Sequence, residues 1–292
     1  MPNIVQYSGK SILRIVRNIS ICSLLYCALT AASAAEVLVR HGTVIGVVYN
    51  SRYIIVAADG REVDRANRPV NDRKCKIARL DDSHFFFSFG RVRFTDLARK
   101  VLADAHDGAR QVFRPAQSVH ALSETWASRM EKDLQKVARI DHRSVASAVP
   151  SKSIVQGVFG GSDAPGRLAM SKADIGYSPP ATANIALNHL TQDLAIDDSG
   201  TLQLFGIDEV GPFVGEFLAN QTPRAQDLQS RLTRDIEERA LGPIDARALA
   251  LKRALEFSIA AANDPRVGGD VSVLVAERDQ PIRWFYQAPG CR

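Results

Sequence analysis

The stretch RHGTVIGVVYNSRYIIVAAD (Arg40–Asp59) holds two runs rich in β-branched residues, Thr43–Tyr49 and Tyr53–Ala58, split by Asn50-Ser51-Arg52. Such runs around a short polar turn predict an antiparallel hairpin. Both are apolar nearly throughout, which suits strands covered on both faces by other layers. A hairpin of this kind returns its last residue, Asp59, to the end of the sheet where Thr43 stands.

Upstream, Lys10, Arg14 and Arg17 form a positive front, Ile19–Thr30 is an apolar run, and Ala32-Ser33-Ala34 fits a small-x-small cleavage pattern. This predicts a secretory signal peptide over residues 1–34. The run is shorter than the roughly 20 residues that span a bilayer, and an uncleaved N-terminal anchor is the alternative. The expectation is an exported protein, periplasmic or secreted, with no stable membrane insertion beyond the signal. Residues 35–42 then form a short propeptide and 43–292 a single domain. Three of the five net positive charges fall in the signal, which leaves about +2. That balance, with no Lys/Arg cluster, excludes a nucleic-acid partner. A hydrophobic share of 46% beside 24% charge permits a sizeable core. Cys22 and Cys27 leave with the signal. Cys75 and Cys291 can form one disulfide in an oxidising compartment, while Cys75 mid-strand also reads as a buried structural thiol. No CxxC or HExxH is present, so no metal or other cofactor is expected.

Downstream of Asp59, residues 60–73 read as a loop with turns, and Lys76–Leu80 with His84–Phe89 as a second hairpin around Asp81-Asp82-Ser83. Apolar spacing predicts helices over Phe94–Val112 and Ser118–Ile140, with Ser118 as a cap. Strands return at Ser153–Phe159, Arg167–Met170 and Leu202–Ile207, with Gly160-Gly161 and Gly211-Pro212 as turns. Helical patterns over Ala225–Arg239 and Ile244–Asn263 precede strands at Val271–Ala276 and Ile282–Tyr286. Strands, two helices, strands, two helices, strands: this order suits an α+β fold, a four-layer αββα sandwich of two mainly antiparallel sheets between helical layers.

An internal threonine hydroxyl has no base beside it. A threonine at a chain terminus carries an α-amino group with a pKa of about 7.7–8 that can take the hydroxyl proton. Gly42, just before Thr43, leaves the preceding carbonyl open to approach. Asp59 reads either as a strand-end turn former or as a carboxylate holding a charged partner. Lys74 and Lys76 both offer that partner, since residues two apart on a strand share a face. Such a lysine would lower the hydroxyl's pKa, and the Gly90 N–H, unscreened by a side chain, could meet a developing oxyanion. The histidines offer no competing site: His41 precedes the cut, and no Ser-His-Asp order with a GxSxG elbow is present.

Gly42-Thr43, Val56-Ala57-Ala58-Asp59 with Gly60-Arg61 after it, and Lys76-Ile77 together resemble the peptidase subunits of proteasomes and of the bacterial proteasome-like protease, within the N-terminal-nucleophile hydrolases. Asp59 falls at the family's spacing from Thr43, and Lys76 and Gly90 fit with one extra loop residue. Asn263–Asp270 (NDPRVGGD) looks like the family's Asp-x-x-Ser-Gly-Gly segment, with Val267 in place of the serine. Either Val155–Gly161 or Leu204–Pro212 would be the family's Gly-turn hairpin. The resemblance implies threonine-type peptide or amide hydrolysis after self-processing at Gly42–Thr43. Thr43 would be nucleophile and base, Asp59 and Lys76 would tune it, the Gly90 N–H would serve the oxyanion and Asp264 would support the site. It also implies a peptide or small-amide substrate and a homo-oligomeric ring. A non-catalytic scaffold on the same fold is the alternative.

Overall fold

The computed structural model describes residues 6–8, 43–63, 69–95, 100–140, 153–178, 186–206, 211–220 and 222–291. Of the expected export signal only β1 (Gln6–Ser8) falls among them; the cleavage pattern, the 35–42 segment and Gly42 lie outside. The opening hairpin forms as predicted, from β2 (Val44–Asn50) and β3 (Tyr53–Ala58), paired from Ile45↔Ala58 to Asn50↔Tyr53. Its turn is fixed by the Asn50 side chain, whose Oδ1 accepts from the Arg52 and Tyr53 N–H groups at 2.9 and 3.2 Å.

The 60–73 segment holds a small hairpin, β4 (Glu62–Val63) with β5 (Pro69–Asn71). β6 (Ile77–Arg79) and β7 (His84–Gly90) form the second expected hairpin. Next come β8 (Arg93–Thr95), β9 (Val101–Asp104), α1 (Ala105–Val112) and α2 (Val119–Ile140). The long antiparallel pair β10 (Ser153–Ala164) and β11 (Arg167–Ser178) follows, then β12 (Ala186–Leu194) and β13 (Thr201–Gly206). The chain continues through α3 (Gly211–Ala219), α4 (Pro223–Glu238) and α5 (Pro243–Ala262) to β14 (Ser272–Glu277) and β15 (Arg283–Tyr286).

The fold is mixed, with helices and two main antiparallel sheets. One has the order β1-β13-β2-β3-β14-β15 and the other β12-β11-β10-β7-β6. Alternation along the strands divides the core. Ile45, Val47 and Val56 of the first sheet meet Phe85, Phe87 and Val158 of the second in one buried cluster. Phe86, Val155, Phe159 and Ile175 leave the second sheet on its other face and pack with Trp126 and Leu134 of α2. Val44, Ala57 and Val273 do the same on the first sheet against Leu251 and Leu255 of α5.

Four expectations are corrected. Phe94–Val112 is not one helix. Arg93 pairs with Asp104 across β8 and β9, and the Asp104 carboxylate caps α1 by accepting from His106 N and Asp107 N at 2.9 and 3.1 Å. A helix can start only where its first N–H groups find an acceptor. Gly160-Gly161 is not a turn but lies inside β10, and the chain reverses at Pro165-Gly166. A Cβ on Gly160 would come within 2.3 Å of the Phe85 ring, so the residue is small for packing. Gly211-Pro212 opens α3 rather than a turn, and β12 was not anticipated because NHLTQD within it is polar.

Cys75 and Cys291 are disulfide-bonded, with Cα atoms 4.8 Å apart. The tail lies tightly along the 73–75 segment, where a Cβ on Gly290 would come within 1.5 Å of Arg73 O. Replacing Cys291 by serine is expected to lower unfolding stability by about 2–4 kcal/mol, read from urea unfolding with the slope fitted separately, since opening the loop expands the unfolded chain. A midpoint equal to wild type would show that the tether adds nothing to the folded domain.

Candidate active site

β3 ends at Ala58, and Asp59 continues its register: Asp59 N donates to Val44 O at 3.2 Å. Its side chain turns back on the same partner, and Oδ1 accepts from Val44 N at 2.9 Å. Lys76 arrives from the other sheet, one residue before β6, and its Nζ lies 2.8 Å from the same Oδ1. One carboxylate oxygen therefore joins the Lys76 ammonium to the peptide nitrogen that follows Thr43. The other, Oδ2, accepts from Gly268 N at 3.2 Å and Arg61 N at 3.4 Å. Thr43, Asp59 and Lys76 are 5%, 1% and 8% exposed, so the group is desolvated. Burial pushes the Asp59 carboxyl above its ordinary value and the Lys76 ammonium below its own, each opposed by attraction to the other.

Lys74 gives its N–H to Gly60 O at 2.8 Å, and Lys76 carries the ammonium that meets Asp59. Gly90 ends β7 with φ of +82°, and a Cβ there would come 2.9 Å from Ile154 O. The β6–β7 register, Ile77↔Phe87, places Gly90 at the same end of the second sheet as Lys76. Ser88, two residues earlier, has a buried hydroxyl with no hydrogen-bond partner among the described residues.

Asp264 does not join this group. Its carboxylate accepts from Arg266 N at 2.8 Å and Arg266 Nε at 2.9 Å, and that guanidinium holds it below the usual carboxylate value. Asp264 instead shapes the turn, accepting Val267 N on its carbonyl, that leads to the Gly268 N–H on Asp59. Val267 is buried in the apolar cluster with Val44 and Val273.

Arg61 is the residue whose role the sequence did not disclose. Its guanidinium pairs with Asp72, Nε to Oδ1 at 2.6 Å and Nη2 to Oδ2 at 3.2 Å. Nη1 meanwhile donates to Pro265 O and Val267 O at 3.3 and 3.1 Å. Gly268 lies against it, and a Cβ there would sit 2.6 Å from the guanidinium carbon. Arg61 thus moulds the loop whose Gly268 N–H reaches Asp59; its position directly after Asp59-Gly60 was the available signal. A cleft of about 490 Å³ opens between this loop and the end of α5, lined by Arg61, Glu256, Asn263 and Asp264. Thr43, Asp59 and Lys76 do not line it.

His106 is half-buried against the Phe86 ring, and desolvation brings it down to about 4, so it is neutral at physiological pH. Among the described residues no His/Cys/Asp/Glu group converges at metal-binding distances, and no helix is long and apolar enough to cross a membrane. Comparison with known protein families and with curated proteins finds no match.

Lys76→Met alone strands a buried carboxylate and is expected to cost about 3–5 kcal/mol. Combining it with Asp59→Asn should cost less than the sum of the two single changes. A double-mutant cycle of urea unfolding checks this; additive losses would mean the pair is not coupled.

Proposed function

We propose that this protein is a threonine-type peptide or amide hydrolase on a four-layer αββα sandwich of the N-terminal-nucleophile type, activated by cleavage at Gly42–Thr43. The observation that carries the reading is the shared Asp59 Oδ1, which ties the Lys76 ammonium to the nitrogen beside Thr43. A buried cation held at the head of the strand that Thr43 leads into favours an alkoxide there.

In this mechanism the freed α-amine of Thr43 takes the proton from Oγ, directly or through a water. Oγ then forms a bond to the substrate carbonyl carbon. The oxyanion is met by the Gly90 N–H, and the tetrahedral species collapses as the C–N bond breaks. The proton held on the amine passes to the leaving nitrogen. Water, deprotonated by the same amine, hydrolyses the ester and returns Oγ–H. Lys76 stays charged and Asp59 fixes its position.

Export fits the same picture, because the Cys75–Cys291 disulfide belongs to an oxidising compartment. The substrate is a peptide or a small amide, and a homo-oligomeric ring is the family's manner of assembly. A second reading, a non-catalytic scaffold on the same fold, is favoured by one observation. Val267 supplies no hydroxyl near the threonine terminus, and the Asp264 carboxylate is engaged by Arg266.

N-terminal sequencing of the purified protein separates the two. The hydrolase reading expects Thr43 first, and a Thr43→Ala variant that keeps residues 35–42 and loses amide hydrolysis by at least about a thousandfold. Wild-type protein beginning near Ala35, with no turnover of peptide or small-amide substrates, would leave the scaffold. The rate should rise with pH as the Thr43 amine loses its proton. It should then fall as Lys76 does, below the ordinary lysine pKa because burial lowers it. A rate with no alkaline limb below that value would remove Lys76⁺ from the mechanism.

A further inference from the structure

Lys76 stands outside the strand ladders: β5 ends at Asn71, β6 begins at Ile77, and residues 72–76 run between them. The residue just before it, Cys75, is bonded to Cys291. The Cys291 sulfur lies 3.1 Å from Ser272 Oγ, and since a disulfide sulfur carries no proton, the hydroxyl donates. Ser272 opens β14 and pairs with Ala58, the neighbour of Asp59. A closed circuit results. It runs from Asp59 through Ala58, Ser272, Cys291 and Cys75 to Lys76, and returns to Asp59 by the 2.8 Å ammonium contact. The tail end of the circuit is firmly seated. Cys291 is 4% exposed, its N–H donates to Ala288 O at 2.9 Å, and Gln287 Nε2 donates to its carbonyl at 2.7 Å.

We infer that the Cys75–Cys291 disulfide is a redox latch on this site: closed, it positions the Lys76 ammonium on Asp59, and opened, it releases that residue. Attraction and desolvation nearly cancel for a buried ion pair, so a covalent hold on the adjacent residue decides whether the pair forms. Cys75 and Cys291 are positioning residues that act on Thr43 only through Lys76. The latch as a control of activity rests on the hydrolase reading above; the placement of Lys76 does not. Closure oxidises the two thiols by two electrons, which a disulfide oxidant accepts. One cysteine thiolate attacks the oxidant and forms a mixed disulfide. The other thiolate then displaces the oxidant, which leaves as a dithiol with the two protons. Cys75 is the more exposed of the pair, so exchange enters there. In a reducing compartment the exchange runs backward. A chain still held there has Thr43 without a placed lysine, and self-cleavage at Gly42–Thr43 waits for export.

The purified protein, as isolated and after a phosphine reductant, is treated with an amine-acylating reagent, and the labelled lysines are mapped by mass spectrometry. Lys76 and Lys172 are both buried, and Lys172 pairs with Asp174 on β11, three strands from β6. Reduction is expected to speed labelling of Lys76 at least roughly tenfold and to leave Lys172 protected. Amide turnover should fall roughly tenfold to a hundredfold on reduction, in kcat with KM unchanged, and recover on reoxidation. Cys291→Ser should match the reduced protein and show no response to the reductant. Selective labelling of Lys76 with no hydrolysis in either state would support the latch and overturn only the hydrolase reading. Lys76 as protected after reduction as before, or hydrolysis unaffected by reduction, would overturn the latch. Labelling of Lys76 and Lys172 together would also overturn it and make the bond a staple of the whole fold.

Discussion

A carboxylate without water is the constraint on which the rest of this molecule depends. Asp59 is almost wholly buried, and an ion placed there costs several kcal/mol unless its lone pairs are filled. Four donors fill them, from Val44, Lys76, Gly268 and Arg61, which come from separate parts of the chain. The carboxylate is thus a junction where the first sheet, the lead-in to the second and the loop after α5 must arrive together. The surrounding contacts serve that arrival. Gly60 N donates to Gly268 O, Asp270 N donates to Asp72 O, and the Arg61 guanidinium spans Asp72 and the 265–267 carbonyls.

Much of this was legible in the residues because it rests on local patterns. An Asn-led turn between two apolar runs specifies a hairpin, and a hairpin fixes where Asp59 returns. Lys76 was legible only as one of two lysines. The decision came from the Lys76 Nζ contact with Asp59 Oδ1, between the two sheets, which no local pattern encodes. The same holds for Gly268 N on Asp59, a contact between residues far apart in sequence. Asp264 shows the opposite limit. A place in a motif did not show that Arg266, two residues on, takes its carboxylate.

Period was the weaker guide wherever polar or capping chemistry competed with it. Phe94–Val112 has helical spacing, yet Asp104 provides the acceptor that starts the helix and leaves the residues before it free to pair as strands. On the α2-facing side of β12 only Leu187 is apolar, and His189, Thr191 and Asp193 follow it, so alternation of hydrophobicity could not reveal the strand.

The Cys75–Cys291 bond adds an order in time to these spatial constraints. Its partners are 216 residues apart, and one of them directly precedes Lys76. During synthesis the hairpins of the first ninety or so residues can pair early, but the segment presenting Lys76 gains its covalent anchor only after residue 291 has emerged. Gly268, which completes the Asp59 carboxylate, also arrives late. The machinery around Thr43 is therefore assembled last, after the sheets and helices that enclose it. A partly made chain carries Thr43 and Asp59 without the ammonium and the Gly268 N–H that meet the carboxylate in the full chain.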